Sequence, residues 1–211
     1  MLEQELKFTV DDVSVLDEVL RSELIRPLVR GSSEPAAQRF HAVYYDTPEM
    51  QLESLRCSLR ARKEGREFRA ALKMPGHIID GLSRREEYEI DIEDWPDAVS
   101  DLPDEEFRLR VGELISTDSE LVAQVEVDMW RRAVNLAVGE SQVELVLDHG
   151  EVRAGGRRTD LRELELELKR GEVADVLALG EALEKRFPLN RSVLSKHAIG
   201  IRLLRESDAI G

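Results

Sequence analysis

The chain has a single cysteine, Cys57, in 211 residues, which excludes an internal disulfide framework and a thiolate zinc cluster. Aromatic residues are scarce at 5%, and no base-recognition pocket stands out, which weighs against a nucleobase ligand. The histidines (His41, His77, His149, His197) are scattered without metal-ligand spacing, so none is assigned to a metal. No run approaches the ~20 consecutive apolar residues of a spanning helix. Glu3, Glu5 and Lys7 crowd the first residues with charge, unlike a signal peptide. Positive charge is in deficit, with 30 Lys+Arg against 44 Asp+Glu and a formal net charge of -14. A duplex would repel such a chain. The expectation is a soluble, cytoplasmic protein with neither nucleic acid nor membrane as partner.

What is present is 42% hydrophobic residues, ample for one core and too many for a disordered acidic chain. The charges are sorted. Arg56, Arg60, Arg62, Lys63, Arg66, Arg69 and Lys73 form a basic segment interrupted only by Glu64 and Glu67, while carboxylates gather at Glu3/Glu5, Glu86–Asp91 and Glu163–Glu167.

Strict alternation predicts strands over Leu2–Phe8, Leu82–Ile92 and Arg162–Lys169. Ala36–Tyr45 reads as a strand after a Gly31–Pro35 loop. Cys57–Lys63 and Glu67–Met74 read as a hairpin, and Val122–Val138 with Ser141–Val152 as a longer one around Gly139-Glu140. Asp11–Leu24, capped by Thr9 or Asp11, and Glu172–Phe187 carry helical spacing. Asp94–Ile115 is expected to be helical between Pro96 and Pro103, and Val193–Leu204 is a closing apolar segment. The fold class is α+β, with about eight antiparallel strands. Several strands carry a charged face opposite an apolar one, and both signs occur. That pattern predicts a sheet curled into a barrel with a charged interior and helices packed outside.

In Glu3-Gln4-Glu5-Leu6-Lys7 two carboxylates and an ammonium succeed one another about 7 Å apart on one side of a strand. Glu165-Leu166-Glu167-Leu168-Lys169 repeats the layout. Paired carboxylates suit a hard, oxygen-preferring cation, Mg²⁺ or Mn²⁺. Arg60 and Arg62 share a face, and Lys73 and Arg85 add cations on neighbouring strands. Guanidinium forks match phosphate oxygens, and lysine adds a point charge.

These residues resemble the CYTH domain, the triphosphate tunnel metalloenzymes, and most closely the bacterial inorganic triphosphatase branch. The resemblance runs over nearly the whole chain: Glu3-x-Glu5-x-Lys7, Tyr45-Asp46-Thr47-Pro48, Leu59-Arg60-Ala61-Arg62, Leu72-Lys73, Arg85-x-Glu87-Tyr88, Asp128-x-x-Arg131, Val143 to Val152, Glu163-Leu164-Glu165-Leu166-Glu167 and Leu194-Ser195-Lys196. It implies an eight-stranded tunnel, one domain over 1–205 with a tail at 206–211, and metal-dependent hydrolysis of inorganic triphosphate. It assigns phosphate binding to Lys7, Arg60, Arg62, Lys73, Arg85, Arg131 and Lys196. It assigns metal binding to Glu3, Glu5, Glu165 and Glu167, with Glu87, Glu144 and Asp148 as helpers; Glu5, Glu165 and Glu167 are the catalytic candidates. Glu144 and Asp148 divide between metal support and structural hydrogen bonding. Glu163 is expected at the tunnel mouth without a role, and Lys63, Arg66 and Arg69 as solvated charges. Ile199 stands where the family often has arginine, and Val127 where a threonine often precedes Asp128. The alternatives are a nucleoside or thiamine triphosphatase, a class IV-like adenylate cyclase, or a non-catalytic polyphosphate-binding module. Relatives often carry a C-terminal CHAD domain, a possible partner absent from this chain.

Overall fold

A computed structural model describes residues 2–31 and 35–208; the middle of the expected Gly31–Pro35 loop and residues 209–211 of the expected tail lie outside them. The elements run β1 (Leu2–Thr9), α1 (Ser14–Leu20), β2 (Val29–Arg30), β3 (Gln38–Asp46), α2 (Gln51–Ser54), β4 (Ser58–Glu64), β5 (Glu67–Lys73), β6 (His77–Ile79) and β7 (Leu82–Ile92). Then follow α3 (Glu105–Gly112), β8 (Val122–Val138), β9 (Ser141–Ala154), β10 (Arg157–Arg170), α4 (Val173–Glu184), β11 (Asn190–Ser192) and α5 (Lys196–Asp208). Eight strands close a barrel in the order β1-β10-β9-β8-β3-β4-β5-β7, and β7 returns to β1 through Leu2↔Glu86 to Leu6↔Leu82. Every pairing is antiparallel. The short strands β2, β6 and β11 add to its edges.

Alternation becomes inside and outside once the sheet closes. The outward residues of β1, β8, β9 and β10 (Leu6, Phe8, Leu136, Leu145, Leu164, Leu166) pack under α1 and α4 through Leu16, Val19, Val176 and Leu183. Burying a side chain such as Leu6 or Phe8, each 0% exposed, contributes roughly 1.5–3 kcal/mol. On the other side Leu59, Ala61, Ala70 and Leu72 pack under α3 through Phe107 and Val111.

The third cluster lies within the barrel. Phe40, Ala42, Tyr44, Val125, Val127, Val152 and Leu161 surround Ile201 of α5, with Ile199, Leu203 and Leu204 against them. The last helix is therefore the exception to the expectation of helices outside. It plugs one end of the barrel, because the interior faces of β3, β8 and β9 turn apolar there. Its Gly200 permits the approach: a Cβ at that position would overlap both Cγ atoms of Val125 and lie 2.8 Å from its Cβ.

Two local expectations are corrected. Between Pro96 and Pro103 there is only a 3₁₀ turn, Val99–Asp101, and the helix α3 follows Pro103 instead. Asp104 caps it by accepting from the Phe107 N–H at 2.8 Å, a stronger start signal than the preceding apolar spacing. α1 is shorter than Asp11–Leu24. Neither Thr9 nor Asp11 caps it; Asp12 accepts from the Ser14 N–H at 2.8 Å. Past its end the Ser22 hydroxyl donates to the Val19 carbonyl at 2.7 Å, and the chain turns into a 3₁₀ segment at Arg26–Leu28.

Candidate active site

The unplugged part of the barrel encloses a cavity of about 730 Å³. Its wall contains Glu3, Glu5, Lys7, Arg60, Arg62, Lys73, Arg85, Glu87, Arg131, Glu144, Glu165, Glu167 and Lys196. The structure thus brings together every expected site residue, with Asp148 buried beneath the lining against Arg131 and Lys196. The strand registers explain the gathering. Glu5 stands opposite Glu167 and Lys7 opposite Glu165 across β1–β10, Glu167 opposite Glu144 across β9–β10, and Glu3 opposite Arg85 across β1–β7.

Deep in the cavity, where α5 begins, the Lys196 ammonium stands 2.8 Å from Glu165, 2.7 Å from Glu163 and 3.0 Å from Asp148. Lys7 stands 3.1 Å from Glu165, 3.6 Å from Glu5 and 3.8 Å from Glu163. Asp148 is fully buried and receives the Arg131 guanidinium through two bonds, Nε at 2.8 Å and Nη2 at 2.6 Å. On the same inward face of β9 as Glu144, it lies beneath the lining as the counter-ion that fixes that fork. Burial opposes ionisation of Glu165, but Lys196, Lys7 and Arg131 outweigh it and hold its carboxyl well below the usual range. The same balance holds Asp148 low through Arg131 and Lys196. Both lysines resist deprotonation in turn: burial lowers their pKa values, and the facing carboxylates raise them further than that.

Sequence reasoning missed Glu163. It is 1% exposed and lies at the closed end, not at the mouth. Its parity with Glu165 and Glu167 was a usable signal, but which end is closed depends on α5. Phe40 was also missed. Its buried ring lies 5.0 Å from the Arg131 guanidinium carbon and 5.7 Å from that of Arg62, an aromatic spacer between two like charges.

Nearer the open end, Lys73 donates to Glu3 at 2.9 Å and to Glu87 at 2.7 Å, and Arg85 Nε donates to Glu3 at 2.5 Å. Burial works against a charged Glu3, yet Lys73 and Arg85 hold its carboxyl far below the ordinary range. Glu167 behaves oppositely. Burial pushes its carboxyl up, Lys169 at 2.7 Å opposes this, and Glu3 and Glu144 push it up further. Crowded oxygen donors that repel one another are what a divalent cation relieves, so the donor set fits Mg²⁺ or Mn²⁺. The residues that would hold it are Glu3, Glu5, Glu144 and Glu167 towards the mouth. Deeper, oxygens of Asp148, Glu163 and Glu165 lie within 4.8 Å of one another, around the ammonium of Lys196.

His197, next to Lys196, lines the cavity beside Tyr44 at 5.3 Å between ring centroids. Burial pushes it down to about 4, with Asp46 pulling up and Arg85 pushing down, so it is neutral at pH 7. The Asp46-Thr47-Pro48 motif is structural: the buried Asp46 carboxylate accepts N–H groups from Thr47, Leu52 and Glu53 at 2.7, 2.8 and 2.8 Å, tying β3 to α2.

The CYTH domain model matches residues 1–199 of the chain. The chain belongs to the CYTH family. Within it, the chain is 30% identical over 161 residues to an inorganic triphosphatase of Haemophilus influenzae, covering 76% of this chain but 44% of that protein. The chain therefore spans less than half the length of that relative. Among solved CYTH-like folds, a Hippeastrum protein provisionally named an adenylyl cyclase, and described as having a dominant triphosphatase activity, superposes with a TM-score of 0.67 at 23% identity, covering 97% of this chain and 95% of that one. A Bacillus halodurans protein provisionally named an adenylate cyclase gives a TM-score of 0.61 at 18% identity, covering 90% and 92%. Among the described residues no helix is long and apolar enough to cross a membrane.

Proposed function

We propose that this CYTH domain is a divalent-metal-dependent hydrolase of inorganic triphosphate, releasing pyrophosphate and phosphate inside the barrel. One observation carries the reading: a blind, water-accessible cavity in which phosphate-matching cations and cation-matching carboxylates already neutralise each other in buried pairs. A metal-bridged polyphosphate satisfies both sets at once. The triphosphatase name of the Haemophilus relative supports it.

The chain's own residues supply positioning and charge, which phosphoryl transfer mainly needs. Lys7, Lys196 and Arg131 form a cationic floor whose geometry is held by Asp148, Glu163 and Glu165. Arg60, Arg62, Lys73 and Arg85 line the walls and orient the remaining phosphates. Glu3, Glu5, Glu144 and Glu167 accept the metal, with Glu87 releasing Lys73 to phosphate. Bound there, Mg²⁺ or Mn²⁺ polarises phosphoryl oxygens and lowers the pKa of a coordinated water. His197 is neutral at pH 7 and is no proton donor there. The site is cytoplasmic in this reading.

Phosphate release over triphosphate, pyrophosphate, ATP and thiamine triphosphate, each with Mg²⁺ and Mn²⁺, tests the reading, with cyclic AMP measured in the ATP arm. Triphosphate is expected to be the preferred substrate. Replacing Glu165 and Glu167 by Gln should lower turnover by about 100-fold or more, since even outer-shell changes cost 10–100-fold. Tight triphosphate binding without turnover in either metal would instead indicate a binding module.

A further inference from the structure

The layout Glu-x-Glu-x-Lys occurs twice in the chain, and its two lysines are held differently. Lys7, the first, stands in regular register opposite Glu165, its side chain 7% exposed. Glu165, Glu5 and Glu163 fix it in the floor of the cavity. Lys169, the second, sits at a β-bulge. Leu168 faces Val143 and Arg170 faces Gln142, so one step along β9 is matched by two along β10, and Lys169 is the extra residue. A bulge leaves its extra residue outside the ladder and re-aims the side chain. The Lys169 ammonium reaches back to Glu167 at 2.7 Å and across to Glu144 at 3.0 Å, with its side chain 39% exposed.

Those two carboxylates depend on it. Glu5, Glu167 and Glu144 stand in a row, directly opposite one another across β1, β10 and β9, a placement of like charges that costs stability. Glu5 has Lys7 and Arg85 beside it, and Glu3 has Lys73 and Arg85. Among the described residues Lys169 is the one cation within 4.0 Å of Glu144 or Glu167. Arg131 acts on Glu144 from further off, being paired with Asp148 and Glu165. The ammonium thus bridges two carboxylates that the reading above gives to the metal. It cannot share them, because a divalent ion held by both would meet a second positive charge between the same oxygens. An ammonium on a flexible stem, partly in water, is free to withdraw, whereas the buried Lys7 and Lys196 are not. We propose that Lys169 is a placeholder for the metal. Its ammonium holds the position between Glu144 and Glu167, a divalent ion displaces it into solvent, and this exchange sets how tightly the barrel takes its metal.

The inference rests on the reading of Glu144 and Glu167 as metal ligands, and titration with Mn²⁺ separates the two. Mn²⁺ alone is titrated by calorimetry into the wild-type chain, Lys169→Gln, Lys169→Arg and Arg170→Gln, with no phosphate ligand and hence no turnover. Arg170 is exposed and one residue on, so its substitution removes the same formal charge while the bridge from Glu144 to Glu167 stays in place. Lys169→Gln is expected to bind Mn²⁺ about tenfold more tightly, since two partly exposed ion pairs no longer compete with the ion. Lys169→Arg keeps a competing cation and should stay near the wild-type affinity, as should Arg170→Gln. Equal or weaker affinity in Lys169→Gln overturns the placeholder. So does an equal gain in Arg170→Gln, which would reduce the effect to net charge. Absence of Mn²⁺ binding in the wild-type chain and in Lys169→Gln alike overturns the metal reading of these carboxylates along with it.

Discussion

Glu3 is ionised because Lys73 and Arg85 both donate to it inside the barrel. Glu165 and Asp148 are held low in the same way, while Glu167 is raised. The pH dependence of stability follows from these signs. A carboxyl whose folded pKa lies below its unfolded value of about 4.3 stabilises fully above that value, and the contribution is lost as pH falls through the depressed folded pKa. Glu167 runs the other way: protonation relieves its burial and its repulsion from Glu3 and Glu144, so it adds a little stability as pH falls towards its unfolded value, before that loss sets in. Urea midpoints are expected to be level near neutrality and to fall steeply below about pH 4.3. Glu3→Gln should lower stability at pH 7 by roughly 1–3 kcal/mol, because it takes one carboxylate from each of two buried cations, leaving Lys73 with Glu87 and Arg85 with Glu5, and should flatten the acid limb. An unchanged pH profile in that variant would contradict the ion-pair assignment.

At the scale of elements, α5 does two things at once: it fills the apolar end of the barrel, and its first residue, Lys196, reaches Glu163, Glu165 and Asp148. Adding a methyl at Gly200 meets Val125, a β-branched side chain with little freedom to rotate away. At Gly180 of α4, outside the barrel, the nearest atom is the flexible end of Leu6. Gly200→Ala is therefore expected to cost about 1–3 kcal/mol by overpacking and to weaken triphosphate binding by displacing Lys196. Gly180→Ala should cost less and leave binding affinity near that of the unaltered chain. Denaturation midpoints and calorimetric affinities for the pair of variants check this; equal loss of affinity in both would show that α5 does not position the floor of the cavity.

Over the whole molecule, net charge misleads. The chain carries -14, yet acids and bases are close to balance along the cavity wall, and the surplus acidity lies elsewhere. A ligand that binds only the closed barrel stabilises by mass action, about 2.7 kcal/mol at a hundredfold excess over Kd. For a chain of this size that is a rise in Tm of about 5–10 °C. Triphosphate with Mg²⁺ should produce it in a thermal melt, and a curve unmoved at millimolar ligand would show that the folded chain does not bind it.

Strand parity alone was enough to put Glu3, Glu5 and Lys7 on one face and Leu6 and Phe8 on the other, and to do the same for Glu163, Glu165 and Glu167. A period-2 pattern is local, so the sequence by itself determined which side chains share a face, and with them the charged interior. It did not determine depth. Whether Glu163 lies at the mouth or the floor, whether Asp148 meets a cation or braces Arg131, and whether Arg69 is solvated or faces Glu89 all depend on register between strands far apart in the chain. They depend also on α5 entering one end. Those are long-range packing choices, set by where apolar surface can be buried once the sheet has closed, and only the tertiary structure decided them.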